Sequence, residues 1–146
     1  MREILFRGKR WDNGDWVEGY YAKAKYIISG KALNVIFPLD LEAFPHCEFS
    51  GYENVATSTI GQYTGVMDKN GHRIFEGDLV EAVLPQTTAQ MGFVWPIMPV
   101  VFRDGVFGLL DHRDDVIPFK SFAPRVTFEV LGNIHDNPEL MEVGSL

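Results

Sequence analysis

Pro99-Val100-Val101-Phe102-Arg103-Asp104-Gly105-Val106-Phe107-Gly108-Leu109-Leu110 is the stretch that decides the architecture. Two short runs of branched and aromatic residues flank Arg103-Asp104-Gly105, where aspartate and glycine supply the backbone freedom of a tight turn. The segment reads as a β-hairpin. On its N-terminal side, Arg73-Ile74-Phe75 leads through the Glu76-Gly77-Asp78 turn into Leu79-Val80-Glu81-Ala82-Val83-Leu84, a partly alternating strand. On its C-terminal side, Val116 to Phe119 and Val126-Thr127-Phe128-Glu129-Val130-Leu131 read as two more strands. Short strands cannot each bury an apolar face alone, and curling the sheet closes that face and removes most exposed edges. Residues 74–132 therefore suit a small SH3-like or OB-like barrel. Asn137-Pro138-Glu139-Leu140-Met141-Glu142 supplies a cap residue, a proline at the first helical position and an early acid, so a short C-terminal helix is expected.

The N-terminal part keeps a period close to two. Ile4-Leu5-Phe6 makes a first strand, Asp12-Asn13-Gly14-Asp15 a tight turn, and Trp16-Val17-Glu18-Gly19-Tyr20-Tyr21 an aromatic strand. Tyr26-Ile27-Ile28 and Leu33-Asn34-Val35-Ile36-Phe37 flank Ser29-Gly30-Lys31 and read as another hairpin. The rhythm breaks over residues 38–56, where Pro38, Pro45 and Gly51 sit among mixed residues; a helical turn around Leu39 to Phe44 or a variable surface loop would fit. Residues 85–92 read as a loop, while Asp68-Lys69-Asn70-Gly71 is a further turn. The expected organisation is a mainly β chain of short antiparallel strands. Residues 1–60 form an N-terminal region with the irregular 38–56 loop, and residues 61–146 a barrel-like region with a helical tail.

Composition narrows the function classes. The chain has 146 residues, with 13 Lys+Arg against 20 Asp+Glu and a formal net charge of −7. Such an acidic balance argues against broad non-specific binding to nucleic acid, which needs cations to displace counterions. The imbalance is local: residues 74–146 hold four Lys/Arg against eleven Asp/Glu, 4 − 11 = −7, whereas residues 1–73 hold nine of each. The single Cys47 excludes an internal disulfide and every multi-cysteine zinc site. The N-terminus has too short an apolar run for a secretory signal, and no stretch is long enough to span a membrane, so a cytoplasmic protein is expected.

No catalytic constellation emerges. His46, His72, His112 and His135 lack zinc-ligand spacing, and no metal site or cofactor is expected. Cys47 has no identifiable activating base. Asp111-His112-Arg113-Asp114-Asp115 is the densest polar cluster, but its acids are not spaced as in a calcium loop and Arg113 opposes a cation. Glu76 and Asp78 bracket a glycine as turn residues do; paired acid/base chemistry is the alternative. Two groups remain as candidate binding residues. Gln62, Tyr63 and Thr64 lie between Gly61 and Gly65, where glycines let the backbone bend and other groups approach. Arg7, Lys9 and Arg10 make the first ten residues basic, and with Trp11, Trp16, Tyr20, Tyr21 and Tyr26 nearby they combine cations with stacking surfaces.

Three motifs carry a family resemblance. They are Phe6-Arg7-Gly8-Lys9-Arg10 with Trp16-Val17-Glu18-Gly19-Tyr20; Ile60-Gly61-Gln62-Tyr63-Thr64-Gly65-Val66-Met67-Asp68-Lys69-Asn70-Gly71, continuing through Ile74-Phe75-Glu76-Gly77-Asp78-Leu79-Val80; and Val130-Leu131-Gly132-Asn133-Ile134-His135-Asp136-Asn137-Pro138-Glu139-Leu140. Together they resemble the YopX family of small phage and prophage proteins, along essentially the whole chain. The resemblance implies a small cytoplasmic protein of phage origin in a bacterial host, and it carries over no catalytic residue.

The expected function is thus that of a non-enzymatic accessory protein that works by interaction or self-assembly. Short strands with edges and abundant aromatics favour a homo-oligomer or a host or phage protein partner. The alternatives are a nucleic-acid-binding accessory protein using the basic N-terminal segment, and an enzyme on a small molecule acting through Gln62, Tyr63, Glu76 and Asp78.

Overall fold

The structure is a computed structural model that describes residues 2–40, 52–84 and 95–144. The chain divides into two compact units, residues 1–63 and 64–146. Among the described residues it is mainly β, with two antiparallel sheets and one short helix. Among the described residues no helix is long and apolar enough to cross a membrane.

The first unit contains β1 (Phe6–Lys9), β2 (Trp16–Lys25), β3 (Ala32–Pro38), β4 (Glu53–Asn54), a 3-10 turn at Thr57–Thr59 and the start of β5 (Gly61–Met67). Its strands lie in the order β4-β3-β2-β1-β5. The β1–β2 connection is the expected tight turn: Gly14 takes φ +77°, and Asn13 Oδ1 accepts the Asp15 N–H at 2.9 Å. Side chains alternate across a strand, so Phe6, Val17, Tyr21 and Ile36 share one face. There they pack with Val55 and Ile60 around a buried centre of Val17, Ile36 and Val55.

The β2–β3 hairpin departs from expectation. Tyr26-Ile27-Ile28 forms no strand; β2 runs on to Lys25, and the register closes at Lys25↔Ala32. Residues 26–31 then reverse the chain, with the Gly30 N–H donating to Tyr26 O at 2.9 Å and Gly30 at φ +68°. The reason is pairing: β1 faces β2 only from Trp16 to Gly19, so the far end of the hairpin has β3 alone beside it. Ile27 and Ile28 fall at the reversal and stand fully in solvent. The first strand is also displaced: β1 begins at Phe6, and Leu5 is a buried residue whose carbonyl accepts the Tyr63 N–H at 2.7 Å. Most of the expected turn around residues 39–44 lies outside the described residues, as do His46, Cys47 and the loop of residues 85–92.

The second unit contains the rest of β5, then β6 (Arg73–Phe75), β7 (Asp78–Val83), β8 (Met98–Arg103), β9 (Val106–Leu110), β10 (Val116–Pro118), a 3-10 turn at Phe119–Ser121, β11 (Thr127–Asn133) and α1 (Glu139–Gly144). Five of its strands form a sheet in the order β10-β9-β8-β7-β11. The hairpin at residues 99–110 forms as read, with Val100 opposite Leu109, Arg103 opposite Val106, and Asp104 and Gly105 both at positive φ. The core holds Ile74, Val80, Ala82, Met98, Val100, Leu109, Val126 and Phe128. Phe119 and Phe122 meet the Phe128 ring edge-on at 5.0 and 5.2 Å, the geometry that the aromatic quadrupole favours. Among the described residues no pairing joins β10 to β11, so no closed barrel is found there, and the antiparallel order remains compatible with the expected barrel-like fold.

Candidate functional site

The basic N-terminal residues separate into two kinds. Arg7 and Lys9 alternate with Gly8 and so point away from the Val17–Ile36 core. They flank Trp16, with the Arg7 guanidinium carbon 4.6 Å and the Lys9 ammonium 5.5 Å from a ring centroid, both within cation–π range. Arg10 belongs elsewhere. Its Nε lies 3.0 Å from Glu53 and its Nη2 2.6 Å from Asp12, with the Arg10 and Glu53 side chains only 11% and 7% exposed. That pair ties the end of β1 to β4, so Arg10 holds the sheet together. Arg10→Ala should cost about 2 kcal/mol, because it removes the guanidinium 3.0 Å from the buried Glu53 carboxylate while Asp12 remains solvated. Urea unfolding of the variant measures this; an unchanged midpoint would show that the pair contributes nothing.

Gln62, Tyr63 and Thr64 do not converge. They lie on a continuous strand, so Tyr63 faces opposite to its two neighbours. Tyr63 is buried, and Gln62 is half-buried opposite Phe6 in the register. The Thr64 hydroxyl donates to Ile74 O at 2.9 Å and accepts the Val66 N–H at 3.1 Å, which shapes the bend where Gly65 takes φ +86°. These are architectural contacts.

The polar motif residues of the second unit behave likewise. Asp68 has its carboxylate out of solvent, with Oδ1 accepting the Asn70 and His72 N–H groups at 2.9 Å each and Oδ2 accepting the Val130 N–H at 3.2 Å. Burial pushes this carboxyl up, but the three backbone donors and the adjacent His72 outweigh it, and the net shift is downward. Asp78, also buried, accepts the Phe75 N–H at 2.8 Å across the Gly77 turn, and Gly77 at φ +87° accepts the Ile134 N–H at 2.8 Å. Asn133 Oδ1 accepts the His135 and Asp136 N–H groups, while Asn137 Oδ1 accepts the Asn133 N–H at 3.2 Å. Gly132 makes room for this, since a Cβ there would overlap the Asn137 side chain. The Glu76-Gly77-Asp78 and Gly132-to-Asn137 motifs are thus one interlocked pair of turns.

The acidic loop at residues 111–115 is a turn of the same kind. Asp111 Oδ1 accepts the Arg113 and Asp115 N–H groups at 2.8 and 3.0 Å, and the Asp115 donor foremost holds the Asp111 carboxyl below its ordinary range. Arg103 reaches Asp114 at 3.0 Å. Among the described residues no three His, Cys, Asp or Glu side chains gather as metal ligands. Beside this loop, Val106, Val116 and Pro118 line an open cleft of about 320 Å³ rimmed by Asp104, Asp114, Asp115 and Arg103, the last paired with Asp114.

The feature that sequence reasoning missed is the far end of the β2–β3 hairpin. Every residue from Lys23 to Ala32 is exposed, and Ile27 and Ile28 are 101% and 102% exposed. No acid occurs between Glu18 and Asp40, while Lys23, Lys25 and Lys31 all lie on this arm. The signal was present as two isoleucines beside a Ser-Gly turn within an acid-free, lysine-bearing stretch.

An antiparallel β protein in two units, whose motif residues knot turns together, is the class defined by this geometry. The family model described as YopX protein matches residues 5–142, and the chain belongs to the YopX family. Two solved structures share the fold. Protein YopX from Bacillus subtilis is 17% identical, with a TM-score of 0.52 over 96% of this chain and 98% of that one. Protein EF1440 from Enterococcus faecalis is 23% identical, with a TM-score of 0.53 over 97% and 99%. Comparison with curated proteins gave no match.

Proposed function

We propose that this chain is a phage- or prophage-encoded accessory protein acting in the bacterial cytoplasm as a non-enzymatic, self-associating interaction module. One observation carries the reading: among the described residues the most exposed large apolar side chains, Ile27 and Ile28, stand at the far end of the β2–β3 hairpin, where solvation is costly and burial against a partner is favourable. The polar residues with catalytic potential support it from the other side. Asp68, Asp78, Asn133 and Thr64 all hold backbone groups in turns.

Nucleic-acid contact is the second reading, favoured by Arg7 and Lys9 over Trp16. The net charge of −7 and the engagement of Arg10 with Glu53 weigh against it. Light scattering of the purified chain over a wide concentration range tests the first reading. The expected result is a mass above that of the 16.5 kDa chain, rising with concentration. A monomer throughout would remove the self-association. Salt-sensitive co-elution with nucleic acid would favour the second reading.

A further inference from the structure

The self-association proposed above has a specific geometry, and this inference rests on that reading. We propose that the β2–β3 arm of one copy docks into the Val106–Val116–Pro118 cleft on the second unit of another copy, head to tail.

Charge complementarity commits the arm to this partner. The arm carries Lys23, Lys25 and Lys31 and no acid, in a chain whose whole excess of seven acids lies in residues 74–146. The cleft combines an apolar lining with exposed Asp104, Asp114 and Asp115 at its rim; Arg103, also at the rim, pairs with Asp114, which leaves the rim's net acidic charge to Asp104 and Asp115. An isoleucine pair flanked by lysines meets there the two things it needs, an apolar floor and an acidic border. Arm against arm would instead bring like charges together, which opposes a symmetric contact between two tips. Nucleic acid would also attract three lysines, but the surrounding acids repel a polyanion, whereas they are the attraction in a second copy. The contact uses different surfaces on the two partners. It therefore leaves a free arm at one end and a free cleft at the other, and it propagates until a ring closes.

Two full-length variants test this. Ile27→Asp/Ile28→Asp disables the arm at fully exposed positions, and Asp104→Lys/Asp115→Lys disables the cleft at exposed loop positions. Thermal melting first confirms that each keeps the wild-type fold. Sedimentation velocity should then show each alone as a monomer, with association weakened about a hundredfold by the loss of two buried isoleucines in the arm variant. Mixed together, the two should form a one-to-one dimer and nothing larger, because the first retains its cleft and the second its arm. High salt should weaken that dimer. A wild-type oligomer that survives in the arm variant would overturn this inference while leaving self-association intact. A monomeric wild type would overturn both. Two monomeric variants that fail to pair on mixing would overturn the cleft as the arm's seat. Arm-dependent binding to duplex DNA or to anionic vesicles, by a chain that does not self-associate, would assign the arm to that partner and overturn the proposal.

Discussion

Alanine at position 19 should destabilise the protein by about 3–5 kcal/mol, the largest loss expected from any one-methyl change in the chain. Gly19 sits in β2 between two neighbours at once, paired with Phe6 of β1 on one side and Pro38 of β3 on the other. A Cβ built there overlaps the backbone carbonyl of Phe37 and comes within 3.1 Å of Ile36 Cγ2. Flexible side chains can swing aside, but a carbonyl within a paired strand cannot move without shifting the strand. Relief therefore requires β3 to slide away from β2, which opens the Ile36–Val17–Val55 centre behind it. Gly30→Ala is the natural comparison. Its Cβ meets nothing within 4 Å, so it should cost only about 1 kcal/mol for placing alanine at φ +68°. Urea unfolding of the two variants measures the difference. If Gly19→Ala unfolds within 1 kcal/mol of wild type, the close β2–β3 approach at this residue is wrong.

Asp68→Ala should lose a similar amount, about 3–5 kcal/mol, for an electrostatic reason. Its carboxylate accepts three backbone N–H groups, from Asn70, His72 and Val130, and the last ties the 68–72 turn to β11 sixty-two residues away. Alanine leaves these donors without the acceptor that the folded turn provides, and removes the tie from the turn to β11. The charge is part of the interaction, since the folded-state pKa lies below the ordinary value of 3.8. A depressed folded pKa means that the unfolded chain takes up the proton first. The stabilisation is therefore fully present above the unfolded pKa and is lost as pH falls through the folded one. Measured by urea unfolding at falling pH, the gap between wild type and Asp68→Ala should be constant near neutrality and narrow below about pH 4. A gap that widened in acid would mean that the neutral carboxyl is the form the fold prefers.

What the sequence made legible follows from distance along the chain. The hairpin at residues 99–110 was readable because both strands and the Asp104-Gly105 turn lie within twelve residues, and each local preference agrees with the final pairing. Tyr26-Ile27-Ile28 was misread because three apolar residues beside a turn look alike whether they pair or lie in the reversal. The deciding fact was how far β1 extends along β2, which is a property of the sheet. Arg10 could not be told from Arg7 and Lys9, since Glu53, which neutralises it, is forty-three positions away. Gln62, Tyr63 and Thr64 form a suggestive string as letters, but on a strand adjacent residues face apart. The family motifs were the most legible part, and the structure gives the physical reason. Their Asp, Asn and Gly residues close turns, and turns demand particular side chains where strands accept many.

The pairing of Phe6 with Gln62 has a kinetic meaning as well. It brings together residues fifty-six positions apart, whereas the β2–β3 ladder needs only the reversal of residues 26–31 to begin. Closing the longer loop demands more conformational entropy before any contact rewards it, and the Arg10–Glu53 ion pair shares that handicap. The first unit is thus built to zip from the far end of its hairpin and to join its two ends last. Its lysine-bearing tip takes shape while the edges of its sheet still await their partners.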